Sequence, residues 1–175
     1  MDKNRQLAHE DHPLAGKKFP LSIIANDISS PLNVGSLFRL CDALGIKKLY
    51  LCGSTPCPPN DKIRKTSRST EKHVNYETHD DAAQLLLTLK TENTSILSLE
   101  ITTDSIDIIS DEFRESISRD KQTYLILGAE NTGVDEKLLA LSDSTVHITM
   151  QGNNSSMNVI TAAGIACYEI TKNMQ

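Results

Sequence analysis

Leu125-Ile126-Leu127-Gly128-Ala129-Glu130-Asn131-Thr132-Gly133 and, one short helical pattern later, Ile148-Thr149-Met150-Gln151-Gly152-Asn153-Asn154-Ser155-Ser156-Met157-Asn158-Val159 decide how this chain is read. In each stretch a buried-strand pattern gives way to a loop built from Gly, Asn, Ser and, in the first, one carboxylate. Both loops are too polar and too rich in glycine for ordinary turns. In an open α/β sheet, ligands sit outside the carboxyl ends of the strands. Two such loops side by side are therefore the first candidate for a site.

Working outward, strand patterns alternate with helical ones. Strands are expected at 21–25, 48–52, 73–76, 95–99, 123–127 and 145–149, each a short apolar run. Between the first two, Val34, Leu37, Phe38, Cys41 and Leu44 fall on one helical stripe. Asn33 is placed to cap that helix and Gly45 to end it. Thr78 with Asp81, and Thr132 with Asp135, look like capping boxes, and Ser110 a cap for a short helix carrying Phe113 and Ile117. The last helix, 156–171, leaves little polar face, which predicts burial on most sides against the sheet and a second subunit. This alternation predicts an α/β fold, a mainly parallel sheet with helices on both faces. Residues 1–20 read as a polar N-terminal arm and 21–175 as a single domain.

The totals exclude several classes. No apolar run approaches the length needed to span a bilayer, and the N-terminus leads into no signal-peptide pattern, so a cytoplasmic protein with no membrane partner is expected. Cys52 and Cys57 are the only near pair, and no other Cys or His lies at zinc-ligand spacing, so no metal is expected. A net charge of −5 argues against a generally basic coat for nucleic acid. One segment runs against that balance. Lys62, Arg64, Lys65, Arg68 and Lys72 lie within 61–72 against two acids, with Ser and Thr interleaved. It is either a solvated charged face or a surface for RNA phosphates, and the hydroxyls favour the latter.

Three separated blocks then carry a resemblance. Asn33-Val34-Gly35-Ser36-Leu37-Phe38-Arg39, Leu127-Gly128-Ala129-Glu130-Asn131-Thr132-Gly133, and Ile148-Thr149-Met150 with Ser156-Met157-Asn158-Val159 resemble, in order, the three motifs of the SpoU/TrmH-type RNA ribose methyltransferases of the SPOUT superfamily. The resemblance covers about residues 20–172. Thr149 stands where that family often has proline. The resemblance implies a C-terminal deep trefoil knot, which pattern reading alone would not propose. It implies S-adenosylmethionine as cofactor, with Leu99, Gly128, Ile148, Met150, Ser156, Met157 and Asn158 lining its pocket. It also implies a homodimer built partly on the last helix.

The implied reaction moves a methyl group to a ribose 2′-hydroxyl of RNA, tRNA ahead of rRNA. The protein must align the reacting atoms and stabilise charge growing on oxygen. Arg39 is the residue expected to stand beside that oxygen and its phosphate. A guanidinium stays protonated, so a cationic role suits it better than a base role. Asn33 is expected to orient Arg39 or the ribose, unless it only caps the helix. Glu130 is expected to hold Arg39, to order the loop or to contact the neighbouring subunit. Ser156 binds the target phosphate or caps the last helix. A catalytically silent RNA-binding knot protein is the alternative of a different class. A Rossmann enzyme is excluded, because Asn26-Asp27-Ile28-Ser29-Ser30-Pro31 follows the first strand where a glycine-rich turn is required.

Overall fold

The computed structural model describes residues 16–175. Among these, β1 (Phe19–Asn26), β2 (Ile46–Cys52), β3 (Tyr76–His79), β4 (Thr94–Leu99), β5 (Ile106–Asp107), β6 (Gln122–Leu127) and β7 (Ser144–His147) form one sheet. The strand order is β3-β2-β1-β6-β4-β7-β5. Every neighbouring pair runs parallel. The connecting helices are α1 (Pro31–Ala43), α2 (Asp61–Ser67), α3 (Ala82–Leu89), α4 (Asp111–Ser116), α5 (Glu136–Leu141) and α6 (Val159–Asn173).

A parallel strand covered on both faces reads as a continuous apolar run, and β1 is one. Leu21, Ile23, Ile24 and Ala25 are all fully buried. Alternate residues serve two cores. Leu21, Ile23, Leu49, Leu97, Leu125 and Leu127 pack with Val34, Phe38, Ile63, Phe113, Ala166 and Ile170 from α1, α2, α4 and α6. Ile24, Tyr50, Ile96, Tyr124 and Ile126 pack on the other face with Leu85, Leu86 and Leu138 from α3 and α5. The result is a sheet between two helical layers, as the sequence predicts.

The chain path matters for the site. β6 inserts between β1 and β4, and β7 inserts between β4 and β5. The loops after β4, β6 and β7 therefore emerge side by side at one edge. α6 then packs on the same face as α1.

Several local expectations shift. Ser30, not Asn33, caps α1: its backbone is extended and its hydroxyl accepts from the Asn33 amide. Pro31 takes the first helical position, where its missing N–H costs nothing. β3 lies at Tyr76–His79 instead of 73–76, because a 3-10 turn at Thr70–Lys72 carries on into a Val74 to Thr70 hydrogen bond. In both expected capping boxes the second member is the cap. Asp81 caps α3 and Asp135 caps α5, while Thr78 stays in β3. β7 ends at His147, two residues short of the expectation. α6 begins at Val159 with Asn158 as its cap, so Ser156 lies outside the helix. α6 buries Ala163, Ala166, Cys167 and Ile170 and leaves Thr161, Ile165, Tyr168 and Lys172 exposed along one stripe. Ser110 caps α4 as expected, and Gly45, at φ +63°, follows α1 as expected. Of the predicted arm, residues 1–15 lie outside the described residues, and β1 already begins at Phe19.

Candidate active site

The second motif turns on two glycines. Gly128 directly follows β6, and the loop folds back so that the amides and carbonyls of Ala129 and Gly133 pair reciprocally at 3.0 and 2.9 Å. A Cβ on Gly128 would lie 2.1 Å from the Gly133 carbonyl carbon, so no side chain fits there. Gly133 itself sits at φ +72°, in the left-handed region that favours glycine. Glu100, the residue after β4, holds this loop from below. Its carboxylate accepts from the Val134 amide and the Ile101 amide, both at 2.9 Å.

The loop thus fixed forms one wall of a cleft of ≈ 930 Å³. Leu99, Gly128, Ile148, Met150, Ser156, Met157 and Asn158, the seven residues expected to line a pocket, all line it. Apolar walls from Leu99, Leu127, Ile148 and Met157 face polar ones from Asn131, Thr132, Ser155 and Ser156. Glu100, Thr102, His147 and Ser155 also line it, and the sequence reading does not single them out. Glu100 directly follows Leu99 at a strand's carboxyl end, and that position is the signal available for it.

Glu130 turns away from its own loop toward α1. Its Oε2 accepts from the Ser29 amide at 2.9 Å and the Ser29 hydroxyl at 3.0 Å. Its Oε1 accepts from the Ser30 amide at 3.3 Å and from Asn33 Nδ2 at 2.8 Å. The first turn of α1 has no acidic residue of its own. Glu130 supplies the negative charge that the amino end of a helix favours. Partial burial pushes its carboxyl up, but the donors from Ser29 and Asn33 outweigh this and bring it down to about 2. The third motif joins the same group. Asn158 Nδ2 donates to Asn33 Oδ1 at 3.4 Å, while Asn158 Oδ1 accepts from the Ile160 amide at 2.9 Å and caps α6.

Glu130 therefore holds Asn33 and the start of α1; the expectation that it holds Arg39 is not met. Among the described residues no hydrogen bond or ion pair links Arg39 to Asn33 or Glu130. The reason is helical geometry. Six residues separate Arg39 from Asn33, about 9 Å along the axis and roughly 120° around it. Arg39 is exposed, one turn past Gly35 and close to the same face. Gly35 is where α1 and α2 meet: a Cβ there would lie 1.9 Å from Thr66 Oγ1 and 2.6 Å from the Ile63 carbonyl oxygen. That close approach brings the basic segment beside the first motif. Lys62, Arg64 and Lys65 stand exposed on α2, and Arg68 is exposed at its end in the left-handed conformation. Arg64 is paired with Asp61 at 3.0 Å. The charge run hides the helix in the sequence, because only Ile63 and Ser67 of α2 are buried.

Among the described residues no group of His, Cys, Asp and Glu is arranged to hold a metal ion. Among the same residues no helix is long and apolar enough to cross a membrane. Cys41, Cys52 and Cys167 are buried and free, and Cys57 is exposed.

Residues 20–168 match the model of the SpoU rRNA Methylase family. The chain is 30% identical over 149 residues to a Thermus thermophilus tRNA (guanosine(18)-2′-O)-methyltransferase, covering 85% of this chain and 73% of that protein. An Escherichia coli protein of the same name is 26% identical over 165 residues, covering 93% and 67%. The crystal structure of the A. aeolicus TrmH/SpoU tRNA modifying enzyme superposes with a TM-score of 0.78 at 26% identity, covering 90% of this chain and 77% of that one.

Proposed function

This chain belongs to the SpoU rRNA methylase family, and from that premise we propose that it methylates a ribose 2′-hydroxyl of tRNA, using S-adenosylmethionine bound in the cleft. One observation carries the reading: residues from all three sequence blocks meet, with Glu130 bound to Asn33 and Asn33 to Asn158 at the edge of the cleft. The sequence blocks are far apart, and a shared site is what gives them a common purpose.

The cleft fits the cofactor. Its volume lies in the range of small-molecule sites, and its lining joins apolar walls to a few convergent polar groups. Leu99, Ile148, Met150 and Met157 suit an adenine ring, and the backbone around Gly128, with Ser156, suits ribose and amino-acid groups. When bound, S-adenosylmethionine supplies an electrophilic methyl on a sulfonium. The chain's own residues supply the rest. Arg39, exposed beside basic α2, holds the acceptor nucleotide by its phosphate and stabilises charge on the attacking oxygen. Its guanidinium does not accept the proton, which leaves to phosphate or water. Glu130 and Asn33 act as positioning residues, fixing the start of the helix that carries Arg39. Ser156, which has no capping duty, lines the cleft and serves either the cofactor or the substrate phosphate. Lys62, Arg64, Lys65 and Arg68 bind RNA backbone.

The knot and the dimer belong to the same reading. The late insertion of β6 and β7 between strands already laid down supports a threaded C-terminal segment. On α6, Ile165 is 41% and Tyr168 61% exposed, an apolar stripe suited to a second copy of the chain.

The test is transfer of labelled methyl from S-adenosylmethionine to unmodified tRNA and rRNA pools. Label in tRNA ribose supports the proposal. Label only in rRNA moves the substrate assignment, and no label in either, with cofactor bound, removes the enzyme reading.

A further inference from the structure

The sheet has a second depression, at its opposite side from β5. Among the described residues β3 is an edge strand, paired with β2 alone. Along it runs an open groove of ≈ 520 Å³, walled by Tyr76, Glu77, Thr78 and His79, with Cys57 and Pro58 as its lip. Edge strands present unpaired backbone donors and acceptors. Here they lie beside rings held on the two faces of the strand, Tyr76 on one and His79 on the other. Tyr76 packs edge-on against Phe38, centroids 5.2 Å apart at 88°. His79 lies 5.8 Å from the Tyr50 ring. Glu77, the acid in the wall, is engaged by Lys48 and by His79.

We propose that this groove takes a nucleobase of the substrate RNA, from a nucleotide flanking the one that is methylated. The proposal rests on the RNA methyltransferase reading above. The His79 ring, held against Tyr50 beside hydrogen-bonding edges, suits an unstacked base, which any sequence offers through its π-face. An open strand edge also suits a peptide, but the surroundings favour a polyanion. The lip leads through Pro59 and Asn60 directly into α2, with Lys62, Arg64 and Lys65 exposed. The spacing agrees. β3 stands three strands from β6, about 14 Å at the usual spacing, within reach of a near neighbour of the modified nucleotide.

Cys57 makes the groove testable. It is the exposed one of four free cysteines, the other three being buried. The experiment follows N-ethylmaleimide labelling of Cys57 in the intact protein with unmodified tRNA, with inorganic polyphosphate, or alone, while methyl transfer is read in the same samples. His79→Ala is measured in parallel for tRNA and cofactor binding. The proposal predicts that tRNA slows labelling strongly and polyphosphate does not. It also predicts that His79→Ala weakens tRNA binding about tenfold, by a factor insensitive to salt, with cofactor binding unchanged. Labelling at the free rate while tRNA is bound and methylated overturns the groove and leaves the methyltransferase reading intact. Equal protection by polyphosphate also overturns it, since phosphate cover then explains the effect. Protection with no methyl transfer to tRNA or rRNA removes the enzyme reading and with it the groove's role beside a methylated nucleotide, and absence of tRNA binding overturns the groove while the enzyme reading passes to the rRNA arm.

Discussion

Glu130 accepts a 2.8 Å hydrogen bond from Asn33 across 97 positions of sequence. The bond ties the loop after β6 to the amino end of α1, and Asn158 extends it to the cap of α6. One carboxylate thus sets the relative placement of the cleft loop and the helix that carries Arg39.

Truncating that carboxylate tests its weight. Glu130→Ala removes four accepted hydrogen bonds, two of them from backbone amides. Because Glu130 is exposed, the cost is discounted to about 1–2 kcal/mol. Urea unfolding of Glu130→Ala, Asn33→Ala and the double variant reads it. A positive coupling between the two sites is expected, and strict additivity would show that the bond contributes nothing.

Glu130 also gives a pH signature. Its folded pKa of about 2 lies below the unfolded glutamate value of about 4.3. The group therefore stabilises the fold fully above the unfolded value, and this contribution fades as pH falls from about 4.3 toward 2. Asp27, held low by the Ser54 amide, and Glu77, held low by Lys48, act in the same direction. Denaturant midpoints of wild type and Glu130→Gln, compared from about pH 6 to about pH 3 to bracket the onset of that loss, should show a gap that narrows with acid. A gap that stays constant would remove the carboxylate from the account.

Gly128→Ala addresses the cleft. The added methyl meets Gly133 backbone at 2.1 Å, so the loop must shift. Calorimetric titration should show S-adenosylmethionine affinity at least about tenfold weaker, with about 1–3 kcal/mol of stability lost. Unchanged affinity would place the cofactor elsewhere.

Much of this is legible in the sequence, and the reasons are local. The apolar runs of β1 and β6, the stripe of α1 and Gly45 after it are signals contained in a few neighbouring residues. The two loops stand out because their composition is polar and glycine-rich, while the seven pocket residues are implied by the family resemblance of the three blocks and not by composition. What cannot be read is long-range. Nothing near Glu130 names Asn33 as its partner in place of Arg39, and nothing near Glu100 shows that it holds the loop after β6. α2 escapes notice because two buried residues in seven give no stripe. Cap positions are ambiguous where two capping side chains stand close together, as at Ser30 and Asn33.

The basic helix makes a separable prediction. Changing Lys62, Lys65 and Arg68 to Gln should weaken tRNA binding and reduce the salt dependence by about one unit of log–log slope for each phosphate no longer neutralised. Cofactor affinity should not change. A loss of affinity with the same salt slope would mean that these side chains do not meet phosphates.

The most direct test of the central claim is methyl transfer to unmodified tRNA by wild type, Arg39→Ala and Arg39→Lys, with the labelled nucleoside identified after digestion. Arg39→Ala should fold, bind S-adenosylmethionine as wild type does, and lose about 10²–10³ in kcat, the scale of removing one stabilising donor. Arg39→Lys should recover only part of this, since a point charge does not replace a planar fork. Label confined to 2′-O-methylribose and lost with Arg39 is the predicted result. Transfer that persists at the wild-type rate in Arg39→Ala, or label on a base, would contradict the account.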